Sequence, residues 1–274
     1  MLVELSILTK IVLYAGLLAA VGLSLQQIAL GAEFRRVIIV GAVLLAFCVP
    51  ARLFLLNAEL AGGLQHAFDF SMFDWVWTPN QAQTLAYLSG AVAMLVGVLA
   101  RLPLMLTVGV LTILVGVGLG GHTRGLETPG MIPWIASLHV GLAAFWVSAP
   151  ITLWPSQNID DDVLVHRMER FSAIAIWGVP LVFAGGVWLG ALLTGSFSGM
   201  AMTGYGRLLI LKLVLACAAL TLGGANKYWV TQKLRANPTA GRRLLRRILI
   251  VDGIIFSGIV LIIVLATTIT GPTR

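Results

Sequence analysis

Apolar and polar segments alternate along the whole chain, and the apolar runs have the length of membrane-spanning helices. A bilayer core about 30 Å thick requires roughly 20 apolar residues in a helix. Eight runs meet this requirement, at residues 6–30, 37–59, 81–101, 103–121, 132–154, 171–194, 208–230 and 248–270. The pattern therefore predicts an all-α, polytopic membrane protein with eight transmembrane helices.

Composition supports this prediction and removes one alternative. The 274 residues are 59% hydrophobic and 11% charged, which is more apolar than a soluble core of this size requires. The net charge of +7 would suggest nucleic acid in a soluble protein, but here it fits contact with anionic membrane lipid. We expect no nucleic-acid partner. The first apolar run lacks a basic leader, so we also expect no cleavable signal peptide.

The distribution of lysine and arginine predicts how the chain crosses the membrane. Of the 18 basic residues, twelve fall in one set of predicted loops and three in the opposite set, and the rest lie within spans. Cytoplasmic loops carry the excess of positive charge, so the first set is assigned to the cytoplasm. Both termini are then expected on the periplasmic side.

A weak internal repeat divides the single predicted membrane domain, residues 1–274, into two halves. The segment VLYAGLLAAVGLS around Tyr14 resembles SLHVGLAAFWVSA around His139. Two related four-helix halves, 1–121 and 122–274, would have equal orientations, as an even number of spans requires.

Histidine and methionine side chains collect at the predicted outer face. Thioether and imidazole groups together suit copper, because thioether favours Cu(I) and imidazole accepts either oxidation state. Packing alone is the alternative explanation for the methionines. The candidate metal ligands are His66, Met72, His122, His139, Met200 and Met202.

His139 is the strongest of these candidates, because a polar side chain is expensive to bury in a membrane. It lies seven residues into the fifth predicted span, about 10 Å below the outer boundary. His122 lies at the outer end of the preceding span. The sequence therefore predicts that the two imidazoles bind copper one after the other along an entrance path. Met200 and Met202 would direct both sulfurs at one ion if their loop is extended.

Two cysteines lie deeper in the predicted spans and could bind the ion after the histidines. Cys48 and Cys217 each fall near the middle of a predicted span, where a thiol could pass a soft ion onward. A small, buried apolar residue is the simpler interpretation of both cysteines. His166 is expected in a solvated cytoplasmic loop, and Asp252 near the inner interface beside the basic segment before it.

Several motifs of the second half resemble one known family. They are the pair Gly121-His122, LHVGLAAFW at 138–146, ERFSAIAIWGV at the start of the sixth span, and TGYGRLLILKLVLACAALTLGGANK at 203–227. The order Tyr-Gly-Arg-Leu-Leu-x-x-Lys is the most specific of these pieces. Together they resemble the CopD family of bacterial inner-membrane copper proteins.

The resemblance implies an eight-span protein of copper uptake and resistance in the bacterial inner membrane. Family members are thought to accept copper from a periplasmic copper-binding protein of the CopC type, which we expect here as a separate partner. The family histidines carry over by motif to His122 and His139. We expect no enzymatic activity, and since the sequence contains no P-loop, transport would be passive or driven by gradients or ligand exchange.

Three hypotheses follow from the sequence. The first is a copper transport protein that captures copper at the outer face and leads it past His139 toward Cys48 or Cys217. The second is a membrane electron carrier with b-type haem, in which His139 would bind iron together with His122, His66 or a methionine. The third is a non-transporting membrane dock for a copper chaperone. The oxidation state of the copper, Cu(I) or Cu(II), stays open.

Overall fold

The computed structural model describes residues 1–121, 124 and 128–270, and all regular secondary structure in these residues is helical. The α-helices are α1 (Leu2–Leu30), α2 (Arg35–Leu60), α3 (Phe73–Leu99), α4 (Pro103–Leu119), α5 (Ile132–Val147), α6 (Ala149–Thr152), α7 (Asp161–Leu193), α8 (Phe197–Met202), α9 (Gly204–Ala225), α10 (Thr231–Ala236) and α11 (Pro238–Leu265). A 3₁₀ turn covers Leu64–His66, and π-helical segments cover Asn226–Val230 and Ala266–Thr270.

The helices confirm a multi-pass membrane architecture. Within the described residues, seven helical stretches are long and apolar enough to cross a membrane, some of them formed by consecutive α and π segments. The helix α4 is also apolar but has only 17 residues. The all-helical membrane fold is therefore confirmed, whereas the count of eight spans, which depends on α4, stays a prediction.

Three helices begin well before the apolar runs that predicted them. The helix α3 begins at Phe73 rather than 81, α7 at Asp161 rather than 171, and α11 at Pro238 rather than 248. Hydropathy marks only the apolar part of a helix, and a helix continues beyond lipid wherever its polar turns are capped and packed. The expected loop position of His166 was therefore wrong: His166 is exposed, as expected, but lies on α7.

The first half of the chain packs α1 to α4 around its own core. Its largest fully buried side chains include Leu23, Ile38, Leu45, Met94 and Ile113. The helices approach closely through small residues, which replace bulky side chains where membrane helices cross. A Cβ atom at Gly41 in α2 would lie 2.9 Å from the carbonyl oxygen of Gly16 in α1.

The helices α1 and α5 join the first half to the second. A Cβ atom at Gly22 would lie 2.1 Å from the carbonyl oxygen of Ala144, so only glycine permits this crossing. The side-chain amide of the buried Gln26 donates to the carbonyl of Phe145. Because an unpaired amide is costly to bury, this hydrogen bond also fixes the register of the two helices.

The ends of the bundle are held by basic side chains. At one end, the Lys10 ammonium donates to the Thr267 carbonyl at 3.0 Å, so the start of α1 adjoins the end of the last helix. At the other end, Arg242 donates to the Asp161 carboxylate at 2.6 Å and to the Ser156 carbonyl at 2.8 Å. Arg242 therefore holds the connection between α6 and α7.

The second half forms a looser bundle of α5, α7, α9 and α11. Its central contact is aromatic: Trp146 lies 6.0 Å from Phe183 and 5.5 Å from Phe256 between ring centroids. These three side chains occupy the middle of the bundle, and a cavity lies on each side of them.

Candidate functional site

The candidate site is a cavity of about 90 Å³ lined by α5, α7, α8, α9 and α11, here termed the His139 cavity. Side chains four and seven residues apart lie on one face of a helix. His139, Ala143 and Trp146 follow this spacing on α5, and all three line the cavity. The helix begins at Ile132, so the predicted position of His139 seven residues into its span agrees with the structure. A space of this size accommodates an ion and a few waters.

The His139 imidazole is held against a pair of glycines on α7. A Cβ atom at Gly186 would lie 3.1 Å from His139 Cε1, and one at Gly185 would lie 3.5 Å from His139 Nδ1. The backbone of Val182 also interacts with the ring. His139 Nδ1 itself is buried and has no hydrogen-bond partner among the described residues. A buried nitrogen without a partner is unusual and is available to a ligand.

Met200 brings a thioether to the same cavity. It lies on α8, whose first turn is capped by the Ser196 hydroxyl, which accepts from the Gly199 N–H at 2.9 Å. Met200 is only 7% exposed, and a Cβ atom at Gly190 would lie 3.1 Å from its terminal carbon. The cavity therefore carries one imidazole and one thioether from different helices.

Met202 does not join Met200 in this cavity. The segment is a helix rather than an extended loop, and in a helix residues i and i+2 point in different directions. Met202 is 79% exposed whereas Met200 is buried. The expectation that both sulfurs face one ion was wrong because the caps at Ser196 and Thr203 stabilise a short helix.

Lys212 also lines the His139 cavity and was not predicted to do so. A lysine within an apolar run usually extends its side chain toward the membrane interface. In the structure, Lys212 interacts electrostatically with His139 and has no ion-pair partner among the described residues. Leu209, Leu213 and Ala216 lie three or four residues from Lys212, on the same face of α9, and they line the same cavity. This spacing is the sequence signal that could have indicated that Lys212 lines it too.

His66 and Met72 lie in a separate loop between α2 and α3, which the sequence predicts on the outer side. His66 ends the 3₁₀ turn and is exposed, and Met72 is 42% exposed just before α3. The buried Asn57 amide holds this loop by donating to the carbonyls of His66, Ala67 and Asp69 at 3.2, 3.1 and 2.8 Å. Neither His66 nor Met72 lines the His139 cavity.

Asp69 in the same loop keeps its negative charge. The side chain and the backbone N–H of Ser71 donate to it and hold the pKa of the Asp69 carboxyl below its usual range. The loop thus presents an exposed imidazole, thioether and carboxylate, but the structure does not bring them together as one ligand set.

The remaining predicted ligands lie elsewhere. Cys48 is buried on α2 and Cys217 is exposed on α9, and neither lines the His139 cavity. His122 lies outside the described residues. Within the parts of the chain that the structure describes, no group of three or more His, Cys, Asp or Glu residues could hold a metal ion.

Comparison with known proteins finds a family model that matches part of the second half. The family model described as CopD, copper resistance protein D, matches residues 165–271. This match confirms the family predicted from the motifs, and it extends through the last helix. It includes the motifs in the sixth and seventh predicted spans but does not reach Gly121-His122 or LHVGLAAFW, so α5 with His139 lies outside it. No curated protein and no solved structure matched the chain.

Proposed function

We propose that this chain, a membrane protein of the CopD copper-resistance family, transports copper across the bacterial inner membrane from the periplasmic face. The family supports copper as the cargo. The single observation that carries the proposal is the His139 cavity, which is lined by both His139 and the buried Met200 from a different helix. No catalytic step is involved.

The ligand types favour Cu(I). Thioether sulfur selects soft ions, and imidazole accepts copper in either oxidation state. His139 would bind through Nδ1, which has no other partner among the described residues, and Met200 through its sulfur. A site made of two such ligands is weak compared with a closed metal centre. Weak binding suits transport, because an ion must leave its site as readily as it arrives.

Lys212 would keep this site weak. A protonated ammonium in the same cavity repels a metal cation, and the effect is stronger in a low-dielectric interior than in water. Lys212 has no carboxylate partner among the described residues to compensate its charge. We therefore assign Lys212 a role in releasing copper rather than in holding it.

The exposed outer residues would collect copper before it reaches the cavity. His66 and Met72 in the outer loop, the exposed Met202 on α8, and His122 are proposed for this role. A periplasmic CopC-type protein would supply the ion, as the family resemblance implies. We further propose eight spans, two related halves and both termini in the periplasm. Cys48 and Cys217 are candidate ligands for copper after it leaves the His139 cavity.

The two other hypotheses have less support. His139 is the only histidine among the described residues that line its cavity, so no second imidazole there favours the electron carrier. A membrane dock for a copper chaperone would use the exposed ligands alone. It would give no role to the buried pair of His139 and Met200.

The experiment that tests the proposal is a copper titration of purified protein in detergent. Cu(I) is supplied anaerobically from a coloured chelator, and retained copper is measured for wild type, His139→Ala and Met200→Leu. The matched controls are His166→Ala, an exposed histidine at the other end of α7, and Met94→Leu, a fully buried methionine of the first half. We expect at least tenfold weaker binding in the first two variants and wild-type binding in the controls.

Two results would refute the proposal. Equal copper retention in wild type and His139→Ala would show that the cavity is not a copper site. A Soret band in the visible spectrum of the purified protein would assign it to haem chemistry instead. Uptake of copper into proteoliposomes by wild type but not by His139→Ala separates transport from docking.

A further inference from the structure

A second and larger cavity lies on the other side of the aromatic cluster. It has a volume of about 590 Å³ and is here termed the Asp252 cavity. Its walls come from the same second-half helices and from the π segment that follows α9. Lys212 in the first cavity and Asn226 in the second are fourteen residues apart on one continuous helix, which corresponds to about 21 Å. The two cavities therefore cover most of the thickness of a bilayer core.

Two buried oxygen atoms in the Asp252 cavity have no partner. Asp252 is 5% exposed and Asn226 is 8% exposed, and Oδ1 of each has no hydrogen bond among the described residues. The sequence suggested that Asp252 would meet the basic segment before it, but no ion pair reaches it in the described part of the chain. Each unpaired buried oxygen costs about 1–3 kcal/mol in a folded protein unless something binds it.

Nearby cations are engaged elsewhere. Lys227 lines the cavity, but its side chain is exposed and its nitrogen lies 5.5 Å from the centre of the Tyr228 ring. Arg242 is occupied by Asp161, and Arg167 donates to the Thr152 carbonyl at 3.1 Å. None of these basic groups forms an ion pair with Asp252 in the described part of the chain.

The backbone beside Asn226 widens where the cavity lies. The π segment begins at Asn226, and the Thr231 hydroxyl donates to the Asn226 carbonyl at 3.0 Å across it. Insertions of this kind often mark functional positions in helices. Gly223 and Gly224 precede it, and a Cβ atom on either would meet nothing within 4 Å. The helix thus leaves open space next to its unpaired amide.

A single layer of aromatic rings separates the two cavities. Trp146, Phe183 and Phe256 line both of them. Trp146 contacts the other two rings at 6.0 and 5.5 Å between centroids. Rotation of these side chains is the smallest change that would connect the cavities. Aromatic faces also tolerate a passing cation, because the ring quadrupole attracts positive charge.

We propose that the Asp252 cavity is a second cation site, which receives Cu(I) from His139 and Met200 past Trp146, Phe183 and Phe256. The Asp252 carboxylate and the Asn226 amide oxygen contribute negative charge and a carbonyl dipole. Met168, which is 2% exposed and lines the cavity, contributes the soft ligand. The identity of the ion rests on the proposed function, whereas the presence of free ligand oxygens rests on Asp252 and Asn226.

The test is the number of Cu(I) ions bound per full-length chain in detergent, measured anaerobically by equilibrium with a coloured chelator. We expect His139→Ala and Asp252→Asn each to bind one ion fewer than wild type, and the double variant to bind two fewer. Glu169→Gln is the matched control, since it removes an exposed carboxylate from the same end of the bundle and should bind as many ions as wild type.

Further variants protect the test against misfolding. Met168→Leu keeps the volume of the side chain and should bind one Cu(I) ion fewer than wild type. Gly224→Leu fills the cavity without removing a ligand and should also bind one Cu(I) ion fewer. Asp252→Glu keeps the charge and should retain the second ion. All variants are first compared with wild type by size-exclusion chromatography.

The outcomes separate this inference from the proposed function. If His139→Ala loses copper but Asp252→Asn, Met168→Leu and Gly224→Leu bind as wild type does, the second site is refuted and the first stands. If the Asp252 variants change only proton uptake, the cavity serves protons and the inference is also refuted. If neither His139→Ala nor Asp252→Asn changes the copper count, both assignments fail.

Discussion

The packing of His139 against two neighbouring glycines leads to a sharp prediction. At Gly186 an added Cβ atom would lie 3.1 Å from His139 Cε1, whereas carbon atoms in contact prefer separations of about 3.5–4.0 Å. The imidazole in Gly186→Ala must therefore move by about 0.4 Å or more. At Gly185 the added atom would lie 3.5 Å from His139 Nδ1, which is ordinary contact. Gly185→Ala should leave the ring in place.

The two variants are closely matched. Both glycines lie within α7, so alanine changes the helix propensity equally at each position, by about 1 kcal/mol in a water-exposed helix. They differ in what the new methyl group meets. Metal-ligand distances are defined to about ±0.2 Å, so a displacement of about 0.4 Å disturbs a coordinating nitrogen. We expect about tenfold weaker Cu(I) binding in Gly186→Ala, equivalent to about 1.4 kcal/mol.

Competition with a coloured Cu(I) chelator measures this difference directly in detergent. The thermal midpoints of both variants are recorded beside the affinities, because a fall in Gly186→Ala alone would indicate general damage. Equal affinities for Gly185→Ala and Gly186→Ala would contradict the placement of His139 against α7. Tighter binding in Gly186→Ala would show that the ring must move away from its observed position to bind copper.

Three further variants test charge, loop anchoring and helix crossing. Lys212→Met removes a positive charge and adds a thioether to the His139 cavity, so Cu(I) affinity should rise at least tenfold; weaker binding would make the amine a ligand. Asn57→Ala removes the donor to three loop carbonyls and should lower stability by about 2–3 kcal/mol, seen as a lower thermal midpoint. Gly22→Ala forces a Cβ atom into the Ala144 carbonyl and should destabilise strongly, whereas Gly223→Ala, which meets nothing within 4 Å, should not.

The position of His139 shows how far sequence patterns reach. Its depth follows from counting residues along an apolar run, and its shared face with Trp146 follows from the seven-residue spacing. Both features are local, because they depend on one helix only. The identity of the opposing helix is not local, so the glycine pair at Gly185 and Gly186 could not be assigned to His139 beforehand.

Met200 and Met202 show a different limit of prediction from sequence. Their close spacing favoured a shared ion, but the side-chain caps at Ser196 and Thr203 stabilise a short helix that separates them. These caps were visible in the sequence as hydroxyl residues placed before the glycines that donate to them. A stretch of only six helical residues carries little periodic signal, so its conformation is decided by neighbouring α7 and α9.

The positions of the Asp252 and Lys212 side chains could be learned only from the packing of the helices. Each is one charge in an apolar run, and the sequence offered a surface position for both. The orientation of α9 and α11 instead turns each side chain toward a cavity, and in the described structure neither finds an ion-pair partner. Rotation of a helix about its axis is set by its neighbours, which no single run of residues specifies.

The chain's own pattern of apolar runs was enough to establish a helical, multi-pass membrane protein, and its motifs were enough to indicate the CopD family. Both depend on short-range features, namely the length a bilayer requires and the order of residues along one helix. The tertiary structure alone decided that His139, Met200 and Lys212 share one cavity, that Asp252 and Asn226 share another, and that three aromatic rings separate them. Such groupings join residues from helices distant in sequence, and they arise only when close packing fixes the rotation of every helix at once.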